Sequence, residues 1–100
     1  NKDYYLRQGQ FMISESDKKA IVDLAVKYKV GRLLLFGSSL DPNREAEDID
    51  LAVEGLRADL FFKFYGELIF NLSKPVDLVD IEKKSRFRDL ILEESIQLYG

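Results

Sequence analysis

Hydrophobic and polar positions along this chain change period several times, and each change marks an element. Between Ser14 and Lys29, Ile21, Leu24, Ala25 and Tyr28 recur at helical spacing and predict an amphipathic helix. Ser14 can cap it, and Asp17, three residues on, can return the bond as in a capping box. Gly31 stops the helix, and Arg32-Leu33-Leu34-Leu35-Phe36 is the short apolar run of a buried strand. Gly37-Ser38-Ser39 ends that strand, and Asp41-Pro42-Asn43 has the composition of a turn. Asp48-Ile49-Asp50-Leu51-Ala52-Val53 alternates at first and predicts a second strand, closed by Glu54-Gly55.

Residues 57–72 then read as a helix ended by Lys74-Pro75, and Val76-Asp77-Leu78-Val79-Asp80-Ile81 as a third strand. Residues 85–98 predict a last helix with Phe87, Leu90, Ile91 and Leu98 on its inner face. Residues 1–12 have no clear period and are expected to form an N-terminal arm or a short strand. The order of elements points to an α/β class, a small mixed β-sheet flanked by helices, with residues 1–100 as a single domain.

The helix over 57–72 is unusually aromatic. Leu60, Phe61, Phe64, Tyr65, Leu68, Ile69 and Leu72 fall on roughly half of its surface, and Phe70 falls outside that arc. Packing against the sheet accounts for such a face. A partly exposed patch that binds a protein partner or a second copy is the alternative.

Composition narrows the chemistry. The 100 residues include no His, Cys or Trp. That excludes Ser-His-Asp and Cys-His nucleophile systems, His-bound zinc, disulfides and iron–sulfur clusters. Polar chemistry must rest on carboxylates, hydroxyls, Lys or Arg, with any metal a hard cation held by oxygen. The net charge of -3 argues against broad nucleic-acid binding. Apolar runs are far too short for a membrane span, and the N-terminus lacks the apolar stretch of a signal peptide, so a cytoplasmic setting is expected.

Asp48 and Asp50 are the most informative pair. Strand side chains repeat every two residues, so both carboxylates should share a face, although Asp is a poor strand former and like charges repel. A divalent cation would remove the repulsion; a solvated strand start is the plainer explanation. The stretch is not an EF-hand loop, because Ala52 occupies the third ligand position. Asp77 lies inside another predicted strand, and a neighbouring strand would bring it beside Asp48 and Asp50 as an oxygen-rich site for one or two Mg²⁺ ions. Asp80 is out of phase with Asp77 and reads as a surface charge.

Gly37 and Ser38 follow the apolar strand directly. Glycine lets a phosphate approach the backbone, and the Ser38 hydroxyl and turn N–H groups can donate to it. By itself this is an ordinary strand exit, and it is not a Walker A loop. The order is more specific: strand, Gly-Ser, Asp-x-Asp, then an Asp in a later strand.

Leu35-Phe36-Gly37-Ser38, Asp48-Ile49-Asp50-Leu51 and Val76-Asp77-Leu78-Val79 together resemble the DNA polymerase beta-like nucleotidyltransferase superfamily, in its minimal nucleotidyltransferase branch. The resemblance covers about residues 14–100. It implies a nucleotidyltransferase-like fold, triphosphate binding at Gly37 and Ser38, Mg²⁺ ligation by Asp48 and Asp50, and Asp77 as a third ligand that helps activate the attacking hydroxyl. It also implies ATP or another nucleoside triphosphate as substrate. Minimal members often act as antitoxins beside a helical HEPN-type toxin, and some transfer AMP to it.

Two departures stand out: Ser39-Leu40-Asp41-Pro42 replaces the arginine-bearing stretch often seen after Gly-Ser, and Glu47 replaces a small residue before the first Asp. The leading expectation is AMP transfer from ATP to a hydroxyl on a protein partner. The alternatives are a non-catalytic binding subunit of the same fold and an aminoglycoside-type enzyme that borrows its acceptor site from another subunit. Residues 41–50 hold five acids against Arg44 alone, so acidity is concentrated where a cation would be needed.

Overall fold

The computed structural model describes residues 4–6, 12–37 and 47–100. A short antiparallel ribbon opens the fold, pairing β1 (Tyr4–Leu6) with β2 (Met12–Ser14). The segment expected as an arm or short strand therefore supplies one strand and the start of another. The elements that follow are α1 (Glu15–Lys27), β3 (Arg32–Phe36), β4 (Ile49–Glu54), α2 (Phe61–Asn71), β5 (Val76–Asp80), α3 (Arg86–Glu94) and β6 (Ile96–Tyr99). A 3₁₀ turn over Ala58–Leu60 leads into α2, so the α-helix starts later than the apolar pattern predicts.

The main sheet has the order β5-β4-β3-β6. β3 is antiparallel to both neighbours, while β4 and β5 are parallel. A parallel pair needs a crossover, and α2 provides it. The fold is thus the mixed sheet with helices that the sequence predicts. None of the described helices is long and apolar enough to cross a membrane.

The last helix is a correction. Residues 85–98 do not form one helix: α3 ends at Glu94, Ser95 is extended, and Ile96-Gln97-Leu98-Tyr99 is a strand on the open edge of β3. Pairing with β3 satisfies backbone groups of a β-branched and aromatic stretch whose isolated pattern also fits a helix. Of the predicted inner residues, Ile91 is buried, Phe87 and Leu90 are half exposed, and Leu98 packs on the main core from β6.

Alternation in the strands divides the core. Leu33, Leu35, Ile49, Leu51, Val53, Val76 and Leu78 face α1 and α2, where Ile21, Leu24, Phe64 and Leu68 are buried. The opposite face buries only Leu34 and Ala52, with Ile81 and Ile91, beneath α3. The predicted inner arc is correct for Phe64 and Leu68 in α2 and for Leu72 just after it; Phe70 is exposed as expected, and Ile69 is exposed contrary to expectation.

The first helix starts as predicted in one respect and departs in another. The Asp17 N–H donates to Ser14 Oγ at 3.0 Å. The Asp17 carboxylate, however, accepts from Ser73, at 3.0 Å from its N–H and 2.5 Å from its hydroxyl. Only 4% of Asp17 is exposed, so its negative charge is satisfied by a distant loop rather than by its own cap. On the other side of the sheet, Glu54 accepts from Arg32 at 2.7 Å and from Arg88 at 2.5 Å. Arg88 also donates to the Ile81 carbonyl at 2.7 Å, so it clamps α3 to the sheet. The hydrogen bond from Arg88, reinforced by Arg32, holds the Glu54 carboxyl below the ordinary carboxylate range.

Candidate active site

β3 ends at Phe36 because Gly37 takes a φ of +76°, in the left-handed region. Phe36 lies opposite Asp50 in the antiparallel register, and the Asp50 carboxylate folds against the Gly37 backbone. A Cβ at Gly37 would fall on a carboxylate oxygen and stand 3.1 Å from Asp50 Cγ and 3.3 Å from Asp50 Cβ. Glycine is therefore required here twice, by the backbone turn and by the close approach of an acid.

The parallel register of β4 and β5 pairs Asp50 with Asp77. Residues in register on adjacent strands stand about 5 Å apart and share a face, here the face that carries α3. Two carboxylates at that spacing repel by roughly 1 kcal/mol in water and about 3 kcal/mol at a partly screened site. Asp77 is exposed and Asp50 half-buried, so the repulsion is softened but not removed. The pairing is fixed from behind. Ile49 N–H donates to the Pro75 carbonyl at 2.8 Å, and the Tyr65 hydroxyl donates to the Val76 carbonyl at 2.9 Å. The first ties the beginning of β4 to the residue before β5, and the second ties the beginning of β5 to α2, immediately beside the two acids.

Asp48 is placed differently. It precedes β4, which starts at Ile49, and its side chain is exposed. Among the described residues no three carboxylates stand close enough together to hold a metal ion. The structure thus brings Asp50 and Asp77 together beside Gly37 and leaves Asp48 at the mouth of the strand. The predicted three-way convergence is only partly assembled. Ser38, the turn Asp41-Pro42-Asn43 and Arg44 lie outside the described residues. Asp80 lies on the opposite face of β5 from Asp77, where its carboxylate accepts from the Glu82 N–H at 2.8 Å, in agreement with a structural surface charge.

An aromatic contact also borders the site. Phe36, in register with Asp50, meets Phe87 of α3 edge-on at a centroid distance of 6.3 Å. An aromatic wall therefore stands on the carboxylate side of the sheet. Its only signal in the sequence is two phenylalanines far apart, which become neighbours once α3 is seated by Arg88.

Solved structures with this fold carry specific chemistry. A crystal structure of a toxin-antitoxin with AMP-PNP includes a chain 27% identical to this one, with a TM-score of 0.68, over 83% of this chain and 73% of that one. A crystal structure of the toxin-antitoxin MntA-HepT gives 26% identity and a TM-score of 0.63 over 84% and 70%. A structure of tri-AMPylated Shewanella oneidensis HEPN toxin in complex with MNT antitoxin gives 27% identity and a TM-score of 0.65 over 84% and 70%. Comparison with curated proteins finds no match. A family profile described as "Polymerase beta, Nucleotidyltransferase" matches residues 19–100, from within α1 through β6, and so takes in the Gly37 turn and all three aspartates. The chain belongs to the polymerase beta nucleotidyltransferase family.

Proposed function

We propose that this protein is a Mg²⁺-dependent nucleotidyltransferase that moves AMP from ATP to a hydroxyl on a helical protein partner of the HEPN-toxin kind, acting as an antitoxin. The observation that carries the reading is the Asp50–Asp77 register beside Gly37. Two acids held in register by backbone bonds, at the open end of one sheet face, have no role in the hydrophobic core. Toxin–antitoxin complexes among the structural neighbours, one with AMP-PNP and one with an AMPylated toxin, support the choice of nucleotide and acceptor.

The donor set fits a hard cation, because carboxylate oxygens are the ligands that Mg²⁺ prefers. Asp50 and Asp77 are already adjacent, and Asp48, two residues ahead of Asp50, would complete the set. When bound, Mg²⁺ supplies positive charge to the phosphate oxygens of the nucleotide. The chain's own groups do the rest. The Gly37 turn and Ser38 hold the triphosphate by close backbone approach and hydroxyl donation. Asp77, exposed at the strand start, takes the proton of the acceptor hydroxyl. The acceptor oxygen bonds to the α-phosphorus, the bond from that phosphorus to the bridging oxygen breaks, and pyrophosphate leaves. No histidine or cysteine is needed.

The test is to incubate the chain and the partner that co-purifies with it with Mg²⁺ and each nucleoside triphosphate, and then weigh both proteins. An AMP adduct on the partner, lost in Asp48→Asn/Asp50→Asn, supports the proposal; equal transfer by the double variant overturns the site assignment. A non-catalytic binding subunit is the second reading. It is favoured by the position of Asp48 outside the acidic pair, and it predicts a stable complex with no adduct at all.

A further inference from the structure

Phe87 takes little part in seating α3 on the sheet. That packing is carried by Ile91, which is buried with Leu34, Ala52 and Ile81. Phe87 is 53% exposed, and Leu90, three residues on and so beside it on the helix, is 54% exposed. A single exposed phenylalanine needs no explanation. The place of this one does.

Phe36 stands opposite Asp50 in the antiparallel register, so their Cα atoms are about 5 Å apart and both side chains lie on the face that carries α3. Phe36 also directly precedes Gly37, whose backbone turns there at a φ of +76°. Phe87 meets the half-buried Phe36 ring at 6.3 Å, with the two planes at 84°. Rings at right angles form an inside corner. A flat ring laid on the face of one meets the other by its edge, and both contacts are arrangements that aromatic groups prefer. An aliphatic group can make neither. The corner is also fixed in advance, because Arg88 ties α3 to the Ile81 carbonyl at 2.7 Å and to Glu54. A ligand entering it loses little affinity to ordering the protein.

We propose that the Phe36–Phe87 corner, with Leu90 beside it, holds the base of the bound nucleoside triphosphate, and that Phe87 sets the affinity for purine nucleotides. This rests on the reading of the Gly37 turn and the Asp50–Asp77 pair as the site for the triphosphate and its metal. A single ribose separates the α-phosphate from the base, so a nucleotide anchored at Gly37 and Asp50 carries its base to groups in the next shell of the same face. Among the described residues the aromatic groups there are Phe36 and Phe87. Stacking reads ring area rather than a hydrogen-bond pattern. Purines should therefore bind more tightly than pyrimidines, while the corner alone separates adenine from guanine little.

The test is calorimetric titration of the full chain, in Mg²⁺, with three probes: α,β-methylene ATP, α,β-methylene CTP and inorganic tripolyphosphate. The methylene bridge prevents turnover, and tripolyphosphate reports on the phosphate site without a base. Wild type should bind the ATP analogue at least fivefold more tightly than the CTP analogue. Phe87→Ala should weaken the ATP analogue by about 5- to 150-fold, the range for loss of one stacked base, and leave tripolyphosphate unchanged. Phe87→Leu, which keeps apolar bulk but has no ring face, should lose nearly as much, and Phe87→Trp should bind at least as well as wild type. Equal affinity of wild type for the two analogues, or an ATP affinity unchanged in Phe87→Ala, overturns the proposal. So does an equal loss of tripolyphosphate, which would mean that the phosphate site itself was disturbed. Loss of the co-purifying partner with nucleotide affinity intact also overturns it, and assigns Phe87 to the partner. Wild type that binds tripolyphosphate as well as the ATP analogue overturns the corner alone; wild type that binds none of the three probes overturns the nucleotide reading beneath it as well.

Discussion

Replacing Gly37 by alanine should reveal how the acidic pair is built into the backbone. Two costs add. An L-residue at φ +76° loses roughly 1–2 kcal/mol relative to its preferred conformations. The new methyl also falls on the Asp50 carboxylate, and making room for it costs about 1–3 kcal/mol by analogy with overpacked sites. Gly37→Ala should therefore destabilise the fold by about 2–5 kcal/mol, a large share of the ~5–15 kcal/mol available to a domain of this size. At roughly 4–8 °C per kcal/mol the melting temperature should fall by about 10 °C or more. The two costs separate in a double-mutant cycle. In an Asp50→Ala background the carboxylate is gone, and Gly37→Ala should cost only the conformational part, about 1–2 kcal/mol. In an Asp50→Asn background the shape is kept and the full cost should return. Urea unfolding followed by circular dichroism, in EDTA, measures all five proteins against wild type. Equal costs in the Asp50→Ala and wild-type backgrounds would refute the claim that Asp50 packs on Gly37.

Other consequences are simpler to state. Glu54 is held below its ordinary value of 4.5 by Arg88 and then Arg32, so the unfolded chain binds more protons as pH falls. The stabilisation from Glu54 should be complete above that ordinary value and vanish as pH drops through the folded one; in Glu54→Gln the acid limb of a melting-temperature profile should flatten. Arg88→Ala should cost about 1–3 kcal/mol by leaving Glu54 and the Ile81 carbonyl short of a donor. It should also loosen Phe87 from Phe36, read in the near-ultraviolet aromatic signal. Asp17→Ala should cost a similar ~1–3 kcal/mol, because two donors of Ser73 lose their acceptor, and Ser73→Ala should recover part of that loss when combined with it. Mg²⁺ should raise the melting temperature of wild type and not that of Asp48→Asn/Asp50→Asn.

The strands around the site were legible in the sequence because their signals are local. A leucine run ending in glycine, an Asp-x-Asp alternation and a valine-rich run after proline each mark a strand. The parallel pairing that puts Asp77 beside Asp50 is a non-local fact, but the resemblance carried by the three motifs anticipated it. The last element was harder. Ile91 through Leu98 fits helical spacing, and what makes Ile96–Tyr99 a strand is the unfilled edge of β3, which no window of sequence contains. Ile69 fails for a related reason: periodicity gives an apolar arc but not how much of it the sheet can cover. Asp17 shows the same limit in polar chemistry, since its partner Ser73 is fifty-six positions away. The Phe36–Phe87 contact likewise depends on where Arg88 seats α3.

Under the proposed function, Asp48, Asp50 and Asp77 work with Gly37 and Ser38 to transfer a nucleotide. The most direct test is the intact mass of the co-purifying partner after incubation with ATP and Mg²⁺, using wild type and Asp48→Asn/Asp50→Asn side by side. Wild type should leave AMP on the partner, and the double variant should leave the partner's mass unmodified. Adducts of equal extent with both proteins, or none with wild type while the complex stays intact, would contradict it.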